Sequence, residues 1–271
     1  MQRGRRICQL ESALRIAKRV LVLSSSAALA MTLSCRSNTR NVGARGGDAP
    51  AGSALAENVC SSGKPVDPPR SELASAQRAF EDEDHVRAQQ LFTKLRAKYP
   101  SSAIVELWLG EATLYAKKLS DGRDVYQDAA SAALKHYARA HALHQRGCVL
   151  PDPERYYLHM GTAYAELRLG RSKQALAALA PAHERWPDSA EITYTQARAA
   201  CVAGDVDACV THFEQTLRIA NSLKRPSFIR THRSLEDWIL RARTQSEFVN
   251  LRADPRYSAV IERARAAAPT P

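Results

Sequence analysis

The sequence predicts an all-α fold built from consecutive antiparallel helix pairs, and three observations carry that reading. Along Asp152–Pro187, the residues Tyr157, Met160, Gly161 and Tyr164, then Ala175, Leu179 and Ala182, recur three and four apart on either side of Gly170. That is the period of two amphipathic helices meeting at a turn. Related patterns recur before and after this stretch. The composition agrees: 45% of the 271 residues are hydrophobic but only 6% are aromatic, so an alanine-rich core of closely packed helices is expected.

Residues 1–34 read as an export signal. Arg3, Arg5, Arg6, Arg15, Lys18 and Arg19 precede the apolar run Val20–Leu33. The run is shorter than the roughly 20 residues a membrane span needs and has the size of a secretory signal core. Ser34-Cys35 follows and resembles a bacterial lipobox, which implies lipid attachment at Cys35. Thr32 stands where that pattern prefers leucine, and Leu33 comes one step late. Ala28-Leu29-Ala30 offers the alternative cleavage site, which would release a soluble protein. Arg36 after the lipid site implies, by resemblance to sorting behaviour, the outer membrane of a two-membrane bacterium. The expected address is therefore the cell envelope, as an outer-membrane lipoprotein facing the periplasm; the alternative is a soluble periplasmic or secreted protein.

Residues 35–70 lack periodicity and are rich in Gly, Ser, Asn, Asp and Pro. Such a composition buries too little surface to fold alone, so a disordered linker is expected. Pro65, Pro68 and Pro69 close it, and Ser71 with Glu72 is expected to open the first helix.

Four helix pairs are expected over residues 71–223. The first carries Ala88, Phe92 and Pro100. The second has Leu107-Trp108-Leu109-Gly110 and Tyr115, then Ala133, Tyr137 and Ala140, with an insertion near Leu119–Gln127. In the third, Gly170 ends the first helix in the left-handed conformation that glycine takes without strain. Gly161 and Ala175 are small where two antiparallel helices approach, Tyr164 and Leu179 fill the space to a neighbouring pair, and Pro187 stops the second helix. The fourth has Tyr194, Gly204, Cys209, Phe213 and Leu217. The pattern resembles the tetratricopeptide repeat (TPR), with Leu179 in place of an aromatic and Pro181 inside a helix as departures. The anchors Ala88, Ala133, Ala175 and Cys209 lie 45, 42 and 34 residues apart, so the array is degenerate. The resemblance implies a right-handed superhelix of antiparallel pairs, an α-solenoid, that binds a protein or peptide in its concave groove. By repeat register the residues facing that partner are Glu111, Tyr115, Arg155, Thr162, Glu166, Tyr194 and Arg198.

Residues 224–271 read as a C-terminal helical cap. Phe248 to Tyr257 resembles a closing motif seen after such arrays, with Asp254 and Pro255 starting a last helix. Phe248, Leu251, Tyr257, Val260 and Ile261 are expected to cover the last repeat, which has no neighbour.

Cys8 lies in the signal and Cys35 at the lipid site, leaving Cys60, Cys148, Cys201 and Cys209. An even count in an exported chain suggests two disulfides. Cys201 and Cys209 stand symmetrically about the Gly204-Asp205 turn, and the stretch resembles the stapled turns of secreted Sel1-like repeats; two small buried thiols are the alternative. Cys60 with Cys148 follows by elimination.

No catalytic constellation is legible. His136, His141 and His144 share a helix, but no carboxylate nearby in sequence completes a metal site. His183-Glu184 lacks the second histidine of a zinc-protease helix. Glu81, Asp82, Glu83 and Asp84 read as a solvated turn. No cofactor is expected. The formal charge of +11 falls to +6 once residues 1–34, with six basic groups and one acid, are removed. Most of the remainder lies in the tail, where anionic headgroups or an acidic protein surface are expected partners rather than nucleic acid, given export. The expectation is a non-catalytic adaptor of the cell envelope; the alternative is an envelope enzyme with a site in the repeat groove. The oligomeric state stays open.

Overall fold

The computed structural model describes residues 66–116, 125–222, 225–229 and 233–268. The proposed signal, Cys35, Cys60 and most of the linker lie outside the described residues. Among the described residues there is no strand, and the chain runs through eleven α-helices: α1 (Arg70–Glu81), α2 (His85–Lys98), α3 (Ala103–Tyr115), α4 (Val125–Gln145), α5 (Asp152–Arg168), α6 (Ser172–Arg185), α7 (Ala190–Val202), α8 (Val206–Ser222), α9 (Leu235–Thr244), α10 (Val249–Ala253) and α11 (Arg256–Ala266), with a short 3₁₀ turn, Ser246–Phe248, between α9 and α10.

Local chemistry sets the helix starts. Asp84, Ser102 and Ser189 each accept a hydrogen bond from the backbone N–H three residues on, at 3.1, 3.3 and 3.4 Å, and Ser234 with Asp237 forms a capping box ahead of α9. At α1 the expectation shifts by a residue. The helix opens at Arg70 behind Pro69, and no side chain caps it.

Four helix ends share one device. At the ends of α1, α5 and α7, a backbone N–H reaches back five residues: Asp84 to Ala79, Arg171 to Glu166 and Asp205 to Ala200. The α4 end closes the same way, Cys148 to Leu143. Each closure needs one residue with positive φ. Those residues are Gly147 (φ 98°), Gly170 (71°), Gly204 (79°) and, unlike the others, Glu83 (62°).

Packing passes from pair to pair. Ala76, Phe92 and Val105 share one core cluster across α1, α2 and α3. Leu107, Tyr137 and Leu158 share the next across α3, α4 and α5; Met160, Leu179 and Ile192 share the third across α5, α6 and α7. No pair buries its apolar face alone; the first helix of the following pair completes each cluster. The anchors Ala88, Ala133, Ala175 and Cys209 are all fully buried. Gly110 allows Tyr137 to cross it, since a Cβ there would stand 2.6 Å from the ring. Gly161 differs from the expectation. Its close neighbours are Tyr137 and Glu111 of the preceding pair, so the tight approach lies between pairs rather than within α5 and α6.

Phe248, Leu251, Tyr257, Val260 and Ile261 are buried in one cluster with Phe213 and Leu217 of α8. Cys201 and Cys209 form a disulfide across the Gly204 turn, with Cα atoms 5.1 Å apart. Cys148 is also disulfide-bonded; its expected partner, Cys60, lies outside the described residues. Among the described residues no helix is long and apolar enough to cross a membrane.

Candidate functional site

One face of the odd-numbered helices encloses a groove of about 700 Å³. Phe80 and Glu81 come from the end of α1, Glu83 from the α1–α2 turn, Glu111 and Tyr115 from α3, and Tyr157, Tyr164 and Arg168 from α5. Helix α7 adds Glu191 and Arg198, α9 adds Trp238 and Arg241, and Arg225 and Arg233 come from the segment between α8 and α9. Of the even helices only α2 reaches the lining, through its first residue His85, because the Ala/aromatic faces of α2 and α4 are consumed in the cores.

Aromatic rings and guanidinium groups alternate along this surface. The Arg168 guanidinium lies 5.3 Å from the Tyr115 ring and 5.7 Å from Tyr126. Arg198 lies 5.6 Å from Tyr164, and Arg241 lies 5.4 Å from Trp238 and 5.7 Å from Tyr194. Such contacts hold cations at an aromatic surface without cancelling their charge. The acids are threaded between them. Tyr164 donates its hydroxyl hydrogen to Glu191, which also faces Arg233 and Arg241 at 3.5 Å each. Arg198 pairs with Glu247, and Arg168 donates to the Leu114 carbonyl.

Glu111 sits at the floor where α3, α4 and α5 meet, and is only 8% exposed. The Tyr137 hydroxyl donates to its Oε1 at 2.8 Å. Burial pushes its carboxyl up to about 7, against the weaker lowering effects of the Tyr137 hydrogen bond and Arg168. Burial also raises Tyr115, to about 12, with the Glu111 charge adding to the effect.

Of the seven residues expected to face a partner, Glu111, Tyr115 and Arg198 line the groove. The other four do not line it. Tyr194 is buried under α9 and donates to Gln245 at 2.8 Å. Thr162 bonds back to the Leu158 carbonyl of its own helix. Glu166 faces Arg171 at 3.6 Å, and Arg155 pairs with Asp152. Sequence reading missed Tyr157, Tyr164, Arg168, Glu191, Arg233 and Arg241 as groove residues, as well as Glu83, which it took for part of a solvated turn.

The three histidines of α4 have separate partners. His136 meets Glu106 at 2.8 Å, His141 packs on the His159 ring at 5.3 Å, and His144 accepts the Leu150 N–H at 3.1 Å. Among the described residues no group of three possible metal ligands is assembled. The basic tail is also largely committed inside the fold. Arg256 pairs with Asp254 and Asp207, Arg263 with Glu214, and Arg265 with Glu236, all within 2.9 Å. Arg252 donates to the carbonyls of Ala242 and Gln245. Among the described residues of the tail, Arg225, Arg233 and Arg241 line the groove.

The chain matches no protein-family model, and no curated protein sequence matches it.

Proposed function

We propose that the helix pairs form the right-handed superhelix of a TPR-like α-solenoid, closed at its C-terminal end by α9 to α11. In this reading the protein is a non-catalytic adaptor that holds an extended protein or peptide segment of a cell-envelope partner. Lipid on Cys35 would tether it, across the linker, to the outer membrane on the periplasmic side. The observation that carries the binding reading is the groove itself. Its walls come from the first helix of successive pairs, and its surface alternates tyrosine rings with guanidinium groups, a mixture enriched at protein-binding surfaces.

A specific observation also favours the second reading, an envelope enzyme. Glu111, with its carboxyl raised to about 7, shares the groove with Tyr115 and Arg168, and such groups cluster at catalytic sites. The adaptor reading accounts for Glu111 more simply. Its hydrogen bond goes to Tyr137 in the core, and the serine of the groove lining, Ser189, is occupied in capping α7 and meeting the Tyr156 hydroxyl.

Photo-crosslinking in cells tests the adaptor reading. A photoreactive residue in place of Tyr157, which is 38% exposed in the groove, is compared with one in place of Val149, 72% exposed outside it. The expected result is capture of a defined protein from position 157 only. Equal capture from both positions would count against the groove as the binding surface.

A further inference from the structure

We propose that the groove is electrically polarised and takes an extended peptide segment with a cationic end and an anionic end. The inference rests on the adaptor reading and adds to it the chemistry of the segment held. The cationic end lies against Glu81 and Glu83, the anionic end against Arg225, Arg233 and Arg241, and the apolar middle against Tyr115, Tyr157 and Tyr164, where Arg168 is engaged by the Leu114 carbonyl and Arg198 by Glu247.

The charges at the two ends are unspent. Glu81 and Glu83 are exposed and have no ion-pair partner among the described residues. At the other end three guanidiniums line the groove and two of them share one carboxylate. Glu191 faces Arg233 and Arg241 at 3.5 Å each, beyond the roughly 2.7–2.9 Å of a full charge-assisted hydrogen bond, and it also accepts from Tyr164. Arg225 is exposed, with no ion-pair partner among the described residues. Two or more cations at this end therefore keep free donors, in a cleft that concentrates their field.

The backbone supplies a second, independent observation. Four helix ends close by the same five-residue hydrogen bond, and three of them place glycine at the position of positive φ. The fourth places Glu83 there, at φ 62°. A β-carbon in that conformation is unfavourable, and such strain gathers at functional sites. Glycine would relieve the turn, as it does at Gly170 and Gly204, yet the position holds a carboxylate that lines the groove. From α1 to α7 the groove spans three helix-to-helix steps of about 8–10 Å, which asks for roughly seven to nine residues of extended chain at about 3.4 Å each.

The test passes a random nonapeptide pool over the immobilised full chain and sequences the peptides retained. The proposal expects Lys or Arg enriched toward one end and Asp or Glu toward the other, with apolar residues between. A retained peptide, fluorescein-labelled, then binds at least tenfold more weakly to the Glu81→Gln/Glu83→Gly variant and to the Arg225→Gln/Arg233→Gln variant. The first variant melts at the same or a higher temperature, since glycine adopts the turn freely, so lost binding there is not lost folding. Retained peptides without end preference, or undiminished binding to both variants, would overturn the polarity while leaving the groove as a peptide site. A pool from which nothing is retained would overturn the adaptor reading itself.

Discussion

The Tyr137 hydroxyl donates to the Glu111 carboxylate at 2.8 Å, and both side chains press on the bare α-carbon of Gly161. Three helices of two successive pairs meet at this contact, and it forms the floor of the groove.

Gly161→Leu tests the contact sterically. A Cβ at this position would stand 2.6 Å from the Tyr137 ring and hydroxyl. Overpacking of this kind costs about 1–3 kcal/mol, and the rigid ring has no room to yield. A thermal melt should fall by several degrees; an unchanged melting temperature would deny the packing.

Glu111→Gln tests it electrostatically. The carboxyl has an ordinary value of 4.5 and is raised to about 7 by burial in the fold. Between these values the unfolded chain has released its proton while the folded chain still holds it. Stability therefore falls as pH rises from 4.5 to about 7, then stays at the lower level. At about 1.4 kcal/mol per unit the loss is roughly 3 kcal/mol. Glutamine still accepts from Tyr137 and does not titrate. The variant should melt higher than wild type at pH 8 and nearly the same at pH 4.5, as checked by paired melts.

The Cys201–Cys209 bond closes a short loop, for which chain entropy gives roughly 2–3 kcal/mol. Both residues are buried and bonded, with no thiol to alkylate, so alkylation in denaturant without reductant should leave them unlabelled. Reduction, or the Cys201→Ala/Cys209→Ala variant, should lower the melting temperature, and the non-reduced digest should hold one peptide pair joined through these residues.

Cys35→Ala addresses the anchor. If Cys35 carries lipid, the variant should move from the membrane fraction to the soluble envelope fraction. A wild-type chain already soluble and beginning at Met31 would instead identify Ala28-Leu29-Ala30 as the cleavage site.

The helix ends and the cores were legible from sequence because glycine and small-residue spacings act locally. Gly170 and Gly204 announce their turns, and Ala133, Tyr137 and Ala140 announce a buried face. The groove was half legible because its residues depend on helix register. Treating Gly161 as the equivalent of Gly110 selects Thr162 and Glu166, just as Gly110 selects Glu111 and Tyr115. Gly110, however, faces its own pair, whereas Gly161 faces the pair before it. Counting back from the turn glycines gives the observed register. Tyr164 and Arg198 each stand six residues before theirs, and Tyr157 and Glu191 each stand thirteen before, and all four line the groove. Tyr194 escaped for another reason: Trp238 of α9 covers it, with ring centroids 4.8 Å apart, and no local pattern announces that long-range contact. The same holds for the tail arginines, whose acidic partners Asp207 and Glu214 lie far away in sequence on α8.

The central claim is that a partner segment lies in the groove, and its most direct measure is the affinity of the protein captured at position 157 for two variants. Tyr157 packs on Trp108 and Tyr156 with centroids 5.8 Å away, so Tyr157→Ala removes groove surface from an aromatic cluster. The account predicts at least tenfold weaker binding, about 1.4 kcal/mol, for Tyr157→Ala and unchanged binding for Val149→Ala. Equal affinities of the wild-type chain and the Tyr157→Ala variant would contradict it.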